Sequence, residues 1–131
     1  MRVITFGTYD VFHLGHLRLL ERAAALGDSL VVGVSSDQLN YTKKQRYPVY
    51  DQASRMAIVA ALRCVNDVFL EESLERKREY ILAYEADILV MGDDWAGRFD
   101  FCSDICRVVY LPRTPSISTT QLIEVIRGVE E

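Results

Sequence analysis

Three scarcities in the 131-residue chain narrow the classes of protein to which it can belong. It contains three cysteines, Cys64, Cys102 and Cys106. Because the number is odd and no secretion signal is evident, we expect reduced, partly buried thiols rather than a disulfide framework or a metal site. No apolar run approaches the roughly 18–20 residues of a membrane-spanning helix. The first residues also lack the layout of a signal peptide. We therefore expect a cytoplasmic protein without membrane insertion.

An excess of positive charge is also lacking. Fifteen Lys and Arg residues stand against 19 Asp and Glu, for a formal net charge of −4. This balance argues against broad, non-specific nucleic-acid binding, although a small anionic ligand needs only a local basic cluster. Internal repeats, low-complexity tracts and linkers are missing too. With 50% hydrophobic and 26% charged residues, the sequence predicts a single soluble domain over residues 1–131.

Short apolar runs alternate with helical periodicity along the whole chain. The pattern predicts strands at about 3–7, 30–34, 65–70, 88–92 and 107–111. Helices are predicted between the first two strands, ended by Gly27, at about 54–64 and 73–85, and from an N-cap at Ser118 to Gly128. Near-continuous apolar strands separated by helices indicate an α/β fold. We predict a doubly wound, Rossmann-like domain with a five-stranded parallel sheet.

Ligands of such folds bind beyond the carboxyl ends of the strands, so the segments that follow the strands carry the candidate site. Both histidines, His13 and His16, lie at the opening of the predicted first helix. Unpaired N–H groups at a helix N-terminus suit phosphate oxygens, and Gly15 lets a ligand approach the backbone closely. A phosphate site is therefore predicted here. Zinc is the competing ligand, but no further ligand residues are evident for it.

Three further segments concentrate charge and hydroxyl groups after predicted strands. Residues 43–46 carry three cations, a pattern that fits either a solvated loop or a phosphate-binding loop. Asp94 and Trp95 follow the fourth strand. Arg113 precedes the hydroxyl groups of residues 118–120 at the start of the last helix, which is a plausible triphosphate site as well as a cap.

Two motifs in these segments give the sequence a family resemblance. Gly7-Thr8-Tyr9-Asp10 followed by His13-Leu14-Gly15-His16 resembles the G-T-F-D and H-x-G-H signature of the cytidylyltransferase-like nucleotidyltransferases. The segment from Arg113 to Thr120 resembles the R-T-x-G-I-S-T-T signature of members that use CTP. The segment from Met91 to Asp100 resembles the glycerol-3-phosphate cytidylyltransferases in particular.

The resemblance implies a nucleotidyltransferase fold and a reaction. CMP would pass from CTP to glycerol 3-phosphate by direct attack, giving CDP-glycerol and pyrophosphate for teichoic acid or another surface polymer. It also implies Mg²⁺ bound mainly through the CTP phosphates, and a homodimer. Two alternatives remain open at this point. One is the same chemistry with ATP or with another polyol or sugar phosphate, and the other is a nucleotide-binding module without turnover.

The resemblance also assigns roles to individual residues, and the sequence departs from the family pattern at three places. Lys43 and Lys44 are adjacent instead of separated by one residue, Asn66 stands where a carboxylate is expected, and Ser116 replaces a glycine. The implied catalytic residues are His13, His16, Lys43 and Arg113. The implied nucleotide-binding residues are Gly7, Thr8, Tyr9, Asp10, Gly15, Arg63, Asp94, Ser118 and Thr119. The implied residues for the acceptor substrate are Lys44, Arg46, Arg55 and Trp95.

Overall fold

A computed structural model describes residues 1–113 and 118–130. These residues contain one sheet of five parallel strands in the order β3-β2-β1-β4-β5. The sheet confirms the predicted doubly wound fold. Its strands are β1 (Arg2–Gly7), β2 (Ser29–Ser35), β3 (Asp67–Glu71), β4 (Ile88–Gly92) and β5 (Arg107–Leu111).

In the described part of the chain, four α-helices and three short 3₁₀ turns connect the strands, and a fifth α-helix follows β5. The 3₁₀ turns are Leu74–Arg76, Asp93–Trp95 and Asp100–Cys102. No helix among the described residues is long and apolar enough to cross a membrane. The helices are α1 (Leu14–Ala24), α2 (Asp37–Lys44), α3 (Gln52–Ala60), α4 (Lys77–Ala83) and α5 (Thr119–Glu130).

Helix α2 was not predicted, because the sequence pattern indicated a lysine-bearing loop. Its segment has few apolar residues, and the residue that it buries beside Leu39 is polar Asn40, so no apolar stripe marks it. The Ser36 side chain caps the helix by accepting a hydrogen bond from Leu39 N (3.0 Å). The two lysines, Lys43 and Lys44, therefore lie in the last turn of a helix.

Other helix boundaries also differ from the sequence pattern. Helix α3 begins two residues before Ser54, because Asp51 accepts from the Ser54 backbone N–H (2.8 Å) and is the N-cap. It ends at Ala60 instead of Cys64. Helix α4 begins at Lys77, after a 3₁₀ turn. Ser118 caps α5 as predicted, but the helix continues past Gly128 to Glu130.

The core lies in two layers, one on each face of the sheet. Alternate strand residues point to opposite faces, so each central strand supplies both layers and reads as continuously apolar. One layer joins the sheet to α4 through Ile81, and the other joins it to α1 and α3 through Leu20 and Val59. The three cysteines are free, with Cys102 and Cys106 buried and Cys64 partly buried, as expected.

The strand order reverses at β1, whose neighbours β2 and β4 lead the chain in opposite directions. Connections therefore leave the carboxyl ends of β1 and β4 on different faces, which opens a crevice between them. Gly7 ends β1 and Gly92 ends β4. The fold thus predicts a ligand site beside these two glycines.

Candidate functional site

Two adjoining cavities lie at the carboxyl ends of β1 and β4. The first has a volume of ≈ 500 Å³ and the second a volume of ≈ 410 Å³. His16, Arg113 and the N-terminus of α5 line the first, whereas Lys43 and Lys77 line the second. The walls common to both are Phe6, Gly7, Thr8, Lys44, Met91, Asp94 and Trp95.

Most of the residues assigned by resemblance meet at these cavities. His13 and Gly15 lie at the start of α1 and line neither cavity themselves, whereas His16 of the same helix lines the first. Arg55 and Arg63 line neither cavity. Those that line at least one are Gly7, Thr8, Tyr9, Asp10, His16, Lys43, Lys44, Arg46, Asp94, Trp95, Arg113, Ser118 and Thr119.

The two histidines form a capping box at the N-terminus of α1. His13 Nδ1 accepts from Gly15 N (3.0 Å), and His16 Nδ1 accepts from His13 N (3.2 Å). The rings stack with their centroids 3.8 Å apart. Because each Nδ1 accepts a hydrogen bond, the proton of each neutral ring is assigned to Nε2. Both histidines are thereby fixed in the tautomer that donates from the Nε2 edge.

The environment keeps both imidazoles neutral. Burial lowers the pKa of His16 to about 3, and the neighbouring His13 adds to the effect. Burial also lowers the pKa of His13, with a further contribution from the positive charge of Arg113. At neutral pH these rings are therefore uncharged. They can donate hydrogen bonds to a phosphate bound here without carrying a positive charge themselves.

This neutrality predicts a dependence of stability on pH. An unfolded histidine has a pKa of about 6.5, so the unfolded chain binds one more proton than folded His16 between that pH and about 3. The contribution of neutral His16 to the free energy of unfolding is complete above pH 6.5 and is lost as the pH falls. Each extra proton steepens the fall by up to about 1.4 kcal/mol per pH unit. His16→Gln should remove one such contribution between pH 6 and 4, measured by urea unfolding at each pH; an unchanged slope would contradict the low pKa.

Helix α5 is tied to the histidines by Thr119. Its hydroxyl donates to the backbone carbonyl of Asp10 (3.1 Å) and lies 3.5 Å from His16 Nε2. Ser118 Oγ accepts from Gln121 N (3.1 Å). The N-terminus of α5, whose first N–H groups have no acceptor within the helix, therefore faces the same space as His16 and Arg113. Residues 114–117, including Ser116, lie outside the described residues.

The carboxylate of Asp10 shapes the wall of the first cavity. It accepts from Val49 N (2.7 Å), Tyr50 N (2.8 Å) and Val11 N (3.1 Å). Asp10 is buried, and its neighbours Tyr9 and Val11 have positive φ angles of 56° and 46°. Such a φ is costly for a β-branched residue like Val11. Asp10 therefore holds a strained loop against residues 49–50, and its carboxylate is already occupied by the protein's own N–H groups.

Tyr9 borders the first cavity, but its side chain belongs to the core. The ring packs in the layer that contains Leu20 and meets His16 edge-on, with centroids 5.5 Å apart. It covers Gly7 so closely that a Cβ there would lie 2.7 Å from Tyr9 Cζ. Tyr9 is thus a support for His16, and Gly7 is required for that close approach. Tyr9 also lines the first cavity, so its implied role in nucleotide binding stays a prediction.

The Tyr9 hydroxyl gives a stability prediction, since it is buried and makes no hydrogen bond of normal geometry with any of the described residues. Tyr9→Phe should raise the free energy of unfolding by about 1 kcal/mol, because it removes an unsatisfied polar group. Tyr110→Phe is the matched control: that hydroxyl donates to Asp100 and accepts from Phe99 N, so its removal should lower the stability. Urea unfolding of both variants measures the difference. A loss of stability in Tyr9→Phe would contradict the geometry.

Arg55 is placed differently from its implied role in acceptor binding. Its side chain is 0% exposed and forms an ion pair with Asp37 (2.7 Å). The guanidinium also donates to the carbonyls of Tyr50 (3.0 Å), Thr8 (2.9 Å) and Ser35 (2.7 Å). These contacts join the segments that follow β1 and β2 to the start of α3. Arg55 is a structural clamp beneath the cavities in this structure, and its implied role in acceptor binding stays a prediction.

Arg63 also lies away from the cavities. Helix α3 begins near the carboxyl end of the sheet and ends at Ala60, so Arg63 follows it towards the amino end, where it is exposed. Nearby Asn66 accepts from Leu30 N (2.8 Å) near the start of β2. Arg63 lines neither cavity, and its implied role in nucleotide binding stays a prediction. Asn66 likewise has a structural contact, far from the site.

The cations of the lysine segment divide between the cavities. Lys43 faces the second cavity, Lys44 faces both, and Arg46 faces the first. Gln45 ends α2 with a φ of 60°, which turns the chain so that the following residues wall the first cavity. Burial lowers the pKa of Lys43, an effect that the negative charge of Glu71 opposes.

The sequence analysis missed a buried ion pair in the second cavity. Lys77 Nζ lies 2.5 Å from Glu71 Oε2, with side-chain exposures of 1% and 2%. The ammonium also lies 3.7 Å from the centroid of the Phe6 ring. Burial lowers the pKa of Lys77, which Glu71 opposes. The sequence could have indicated Glu71, because it lies at the end of β3, at the edge of the sheet where ligands bind. The sequence analysis did not consider the segment after that strand.

Asp94 and Trp95 lie between the cavities. They follow β4 in a 3₁₀ turn and line both spaces. Trp95 packs against Phe99 with ring centroids 5.5 Å apart. A Cβ at Gly92 would lie 2.6 Å from Asp94 Oδ1, so that glycine gives the carboxylate its place. Within residues 1–113 and 118–130, no group of three or more His, Cys, Asp or Glu could hold a metal ion.

Comparisons with known proteins show the family of the chain. A family model described as cytidylyltransferase-like matches residues 4–125. The glycerol-3-phosphate cytidylyltransferase of Bacillus subtilis (strain 168) is 49% identical over 129 residues, covering 98% of each chain. That of Staphylococcus aureus (strain NCTC 8325 / PS 47) is 42% identical, covering 97% of this chain and 96% of the relative. The crystal structure of a lipopolysaccharide core biosynthesis protein from Thermoplasma volcanium GSS1 has a TM-score of 0.78 at 26% identity, covering 87% of this chain and 98% of that one.

Proposed function

Because the chain belongs to the cytidylyltransferase-like family, we propose that it transfers CMP from CTP to glycerol 3-phosphate, giving CDP-glycerol and pyrophosphate. Relatives that match it over nearly their whole length carry the name glycerol-3-phosphate cytidylyltransferase. The observation that carries the proposal is the pair of cavities that share one wall. Each has its own set of phosphate-binding groups, as a reaction between two phosphorylated substrates requires.

The triphosphate fits the first cavity. Donors converge there from three elements: His16 at the start of α1, Arg113 after β5, and the N–H groups at the start of α5. Glycerol 3-phosphate fits the second cavity, where Lys43 supplies positive charge and Phe6 and Trp95 supply apolar walls. Lys44 lines both spaces, so it can contact a phosphate of either substrate.

The reaction then needs alignment and charge neutralisation, and no protein nucleophile. A phosphate oxygen of the acceptor attacks the α-phosphorus of CTP, the bond from that phosphorus to the bridging oxygen breaks, and pyrophosphate leaves. Negative charge accumulates on the leaving group, so preorganised donors stabilise the transition state. The Nε2–H groups of His13 and His16 are such donors, held by the capping box.

We also propose that Mg²⁺ accompanies CTP. When bound, it neutralises part of the triphosphate charge and orients the phosphates. Few carboxylates of the described residues are placed to hold it: Asp10 is occupied by backbone N–H groups, and Glu71 is paired with Lys77. Asp94 lines both cavities and fits as a single protein ligand. The remaining oxygens would come from the phosphates and water.

The assembly that we propose is a homodimer acting in the cytoplasm, where CTP is made. Support comes from the incompletely covered helix α5, whose Val125 and Ile126 are 62% and 52% exposed. An apolar helix face of this kind is typical of an interface. Light scattering coupled to size-exclusion chromatography tests it: a mass near 30 kDa supports the dimer, about twice the 15.0 kDa chain, and a mass near that of one chain refutes it.

The experiment that tests the proposed function is a substrate matrix. CTP and ATP are each combined with glycerol 3-phosphate, other polyol phosphates, sugar phosphates and phosphocholine in the presence of Mg²⁺. Pyrophosphate release is recorded, and the nucleotide product is identified by mass spectrometry. Turnover with CTP plus glycerol 3-phosphate alone confirms the proposal. Turnover with another pair replaces the substrates and keeps the mechanism, whereas CTP binding without turnover indicates a non-catalytic module.

A further inference from the structure

The second cavity contains a carboxylate that phosphate binding does not explain. Glu71 ends β3 and is 2% exposed, yet it lines the same space as Lys43, Lys44 and Lys77. A fixed negative charge repels a phosphate group, so a site built for phosphate alone would be better with a neutral residue there. The carboxylate therefore has a reason to be present other than holding the anion.

Lys77 fixes the direction of this carboxylate. Its ammonium contacts Glu71 Oε2 and is enclosed by the rings of Phe6 and Phe99, with Nζ at 3.7 and 5.1 Å from their centroids. The Glu71 main chain is fixed as well, since its carbonyl accepts from Ser36 N (2.8 Å). Both ends of the residue are thus held, and an ionised carboxylate keeps lone pairs beyond the single contact to Lys77.

We propose that Glu71 is the specificity-determining residue for the alcohol part of the acceptor: its carboxylate accepts hydrogen bonds from the acceptor hydroxyls while Lys43 and Lys44 hold the acceptor phosphate. The proposal rests on the proposed function, because it takes the second cavity to be the acceptor site. Leu74 and Phe99 on the same wall suit the carbon chain. The substrate class is a short, hydroxylated alcohol phosphate.

The physical consequence is strong selection against acceptors that lack hydroxyl groups. A buried carboxylate that faces an apolar chain has no hydrogen-bond donor where the hydroxyl would lie, and that penalty is larger than the loss of a contact in water. Sites built to bind a substrate hydroxyl reject the analogue without it by large factors. The positive charge of Lys77 offsets the negative charge of Glu71, but Lys77 does not replace the hydrogen-bond donor that the acceptor hydroxyl would supply.

The test compares glycerol 3-phosphate with propyl phosphate, which has the same three carbons and no free hydroxyl. With CTP and Mg²⁺, the wild type should use propyl phosphate with a kcat/KM at least about 100-fold lower. Glu71→Gln should reduce that preference by about 10-fold or more, chiefly through a higher KM for glycerol 3-phosphate, and leave the KM for CTP unchanged. Glu72→Gln, at the exposed neighbouring position, should behave like the wild type.

Glu71→Gln leaves Lys77 with an unpaired buried charge and can fail to fold for that reason. A second variant is therefore needed. Glu71→Gln combined with Lys77→Gln removes both charges together and should also lose the hydroxyl preference. Lys77→Gln alone keeps the accepting carboxylate but not its fixed direction, so it should retain more of the preference than the double variant. Melting temperatures of all variants separate loss of fold from loss of selection.

Several outcomes would overturn the proposal. One is equal use of the two acceptors by the wild type. Another is an equal loss for both acceptors in the Glu71 variants, which would mean that Glu71 serves only to hold Lys77. CMP transfer to a different hydroxylated phosphate would refute the proposed function alone, and the deoxy analogue of that acceptor then serves as the comparison. If the wild type forms no CDP-alcohol at all, both proposals fail.

Discussion

Replacing His16 with glutamine is expected to lower the turnover of CTP by about 100-fold or more while leaving the fold intact. The imidazole donates from Nε2 into the first cavity, and loss of one preorganised donor to developing charge costs about 10²- to 10³-fold in rate. Glutamine at the third position of a helix can still accept from the N-cap backbone N–H. The capping bond between His13 N and residue 16 is thereby kept.

His16→Ala separates the two contributions of this residue. It removes the donor and the cap together, so it should lose turnover and also lower the melting temperature. His13→Ser is a parallel variant, because serine is a good N-cap that lacks the imidazole. Turnover is measured by pyrophosphate release at saturating CTP and acceptor, and stability by thermal unfolding. Near-normal turnover in His16→Gln would mean that the ring only supports the helix.

The sheet was predictable because each of its central strands is buried on both faces. A strand such as 30–34 reads as a continuous apolar run, although helix α1 before it ends at Ala24 and not at the predicted Gly27. Helix α2 was not predicted, because its buried positions include Asn40, whose amide donates to the backbone carbonyls of Ser35 and Ser36. A buried polar side chain of this kind has its hydrogen bonds satisfied by other parts of the fold. A search for periodic apolar residues does not detect it.

The parts of the site that are local in sequence were also predictable. His13 and His16 are three residues apart, and Ser118 and Thr119 are adjacent at the start of α5, so helix geometry alone brings each pair together. Glu71 and Lys77 are six residues apart but belong to different elements, β3 and α4. Their pairing depends on how α4 packs on the sheet, which the sequence pattern does not specify.

The burial of Arg55 was not predicted, for a related reason. An arginine at the exposed start of a helix is ordinarily solvated. The family resemblance instead implied that the Arg55 side chain binds the acceptor. In the structure the side chain runs under the loops instead, and it satisfies carbonyls from Thr8, Ser35 and Tyr50. The orphaned carbonyls at the ends of parallel strands require donors, and a guanidinium with five N–H groups supplies several at once.

Arg55→Met is therefore expected to destabilise the fold by about 3–5 kcal/mol, the usual cost of removing one partner from a buried ion pair. That loss is a large part of the 5–15 kcal/mol that stabilises a typical domain. The variant leaves Asp37 without its partner and three carbonyls without donors. Arg55→Lys keeps the charge but has fewer donors in a less rigid arrangement, so its stability should fall between those of the wild type and Arg55→Met.

Urea unfolding and acceptor kinetics together distinguish a clamp from a substrate ligand. A clamp predicts that the stability falls in the order wild type, Arg55→Lys, Arg55→Met, and that exposed Arg63→Met changes little. It also predicts that the variants lose activity in parallel with the folded fraction. If Arg55 bound the acceptor phosphate, Arg55→Lys would unfold like the wild type and show a raised KM for the acceptor alone. Because the guanidinium contacts the segments behind both cavities, the clamp further implies that CTP and acceptor affinities fall together in any variant that stays folded.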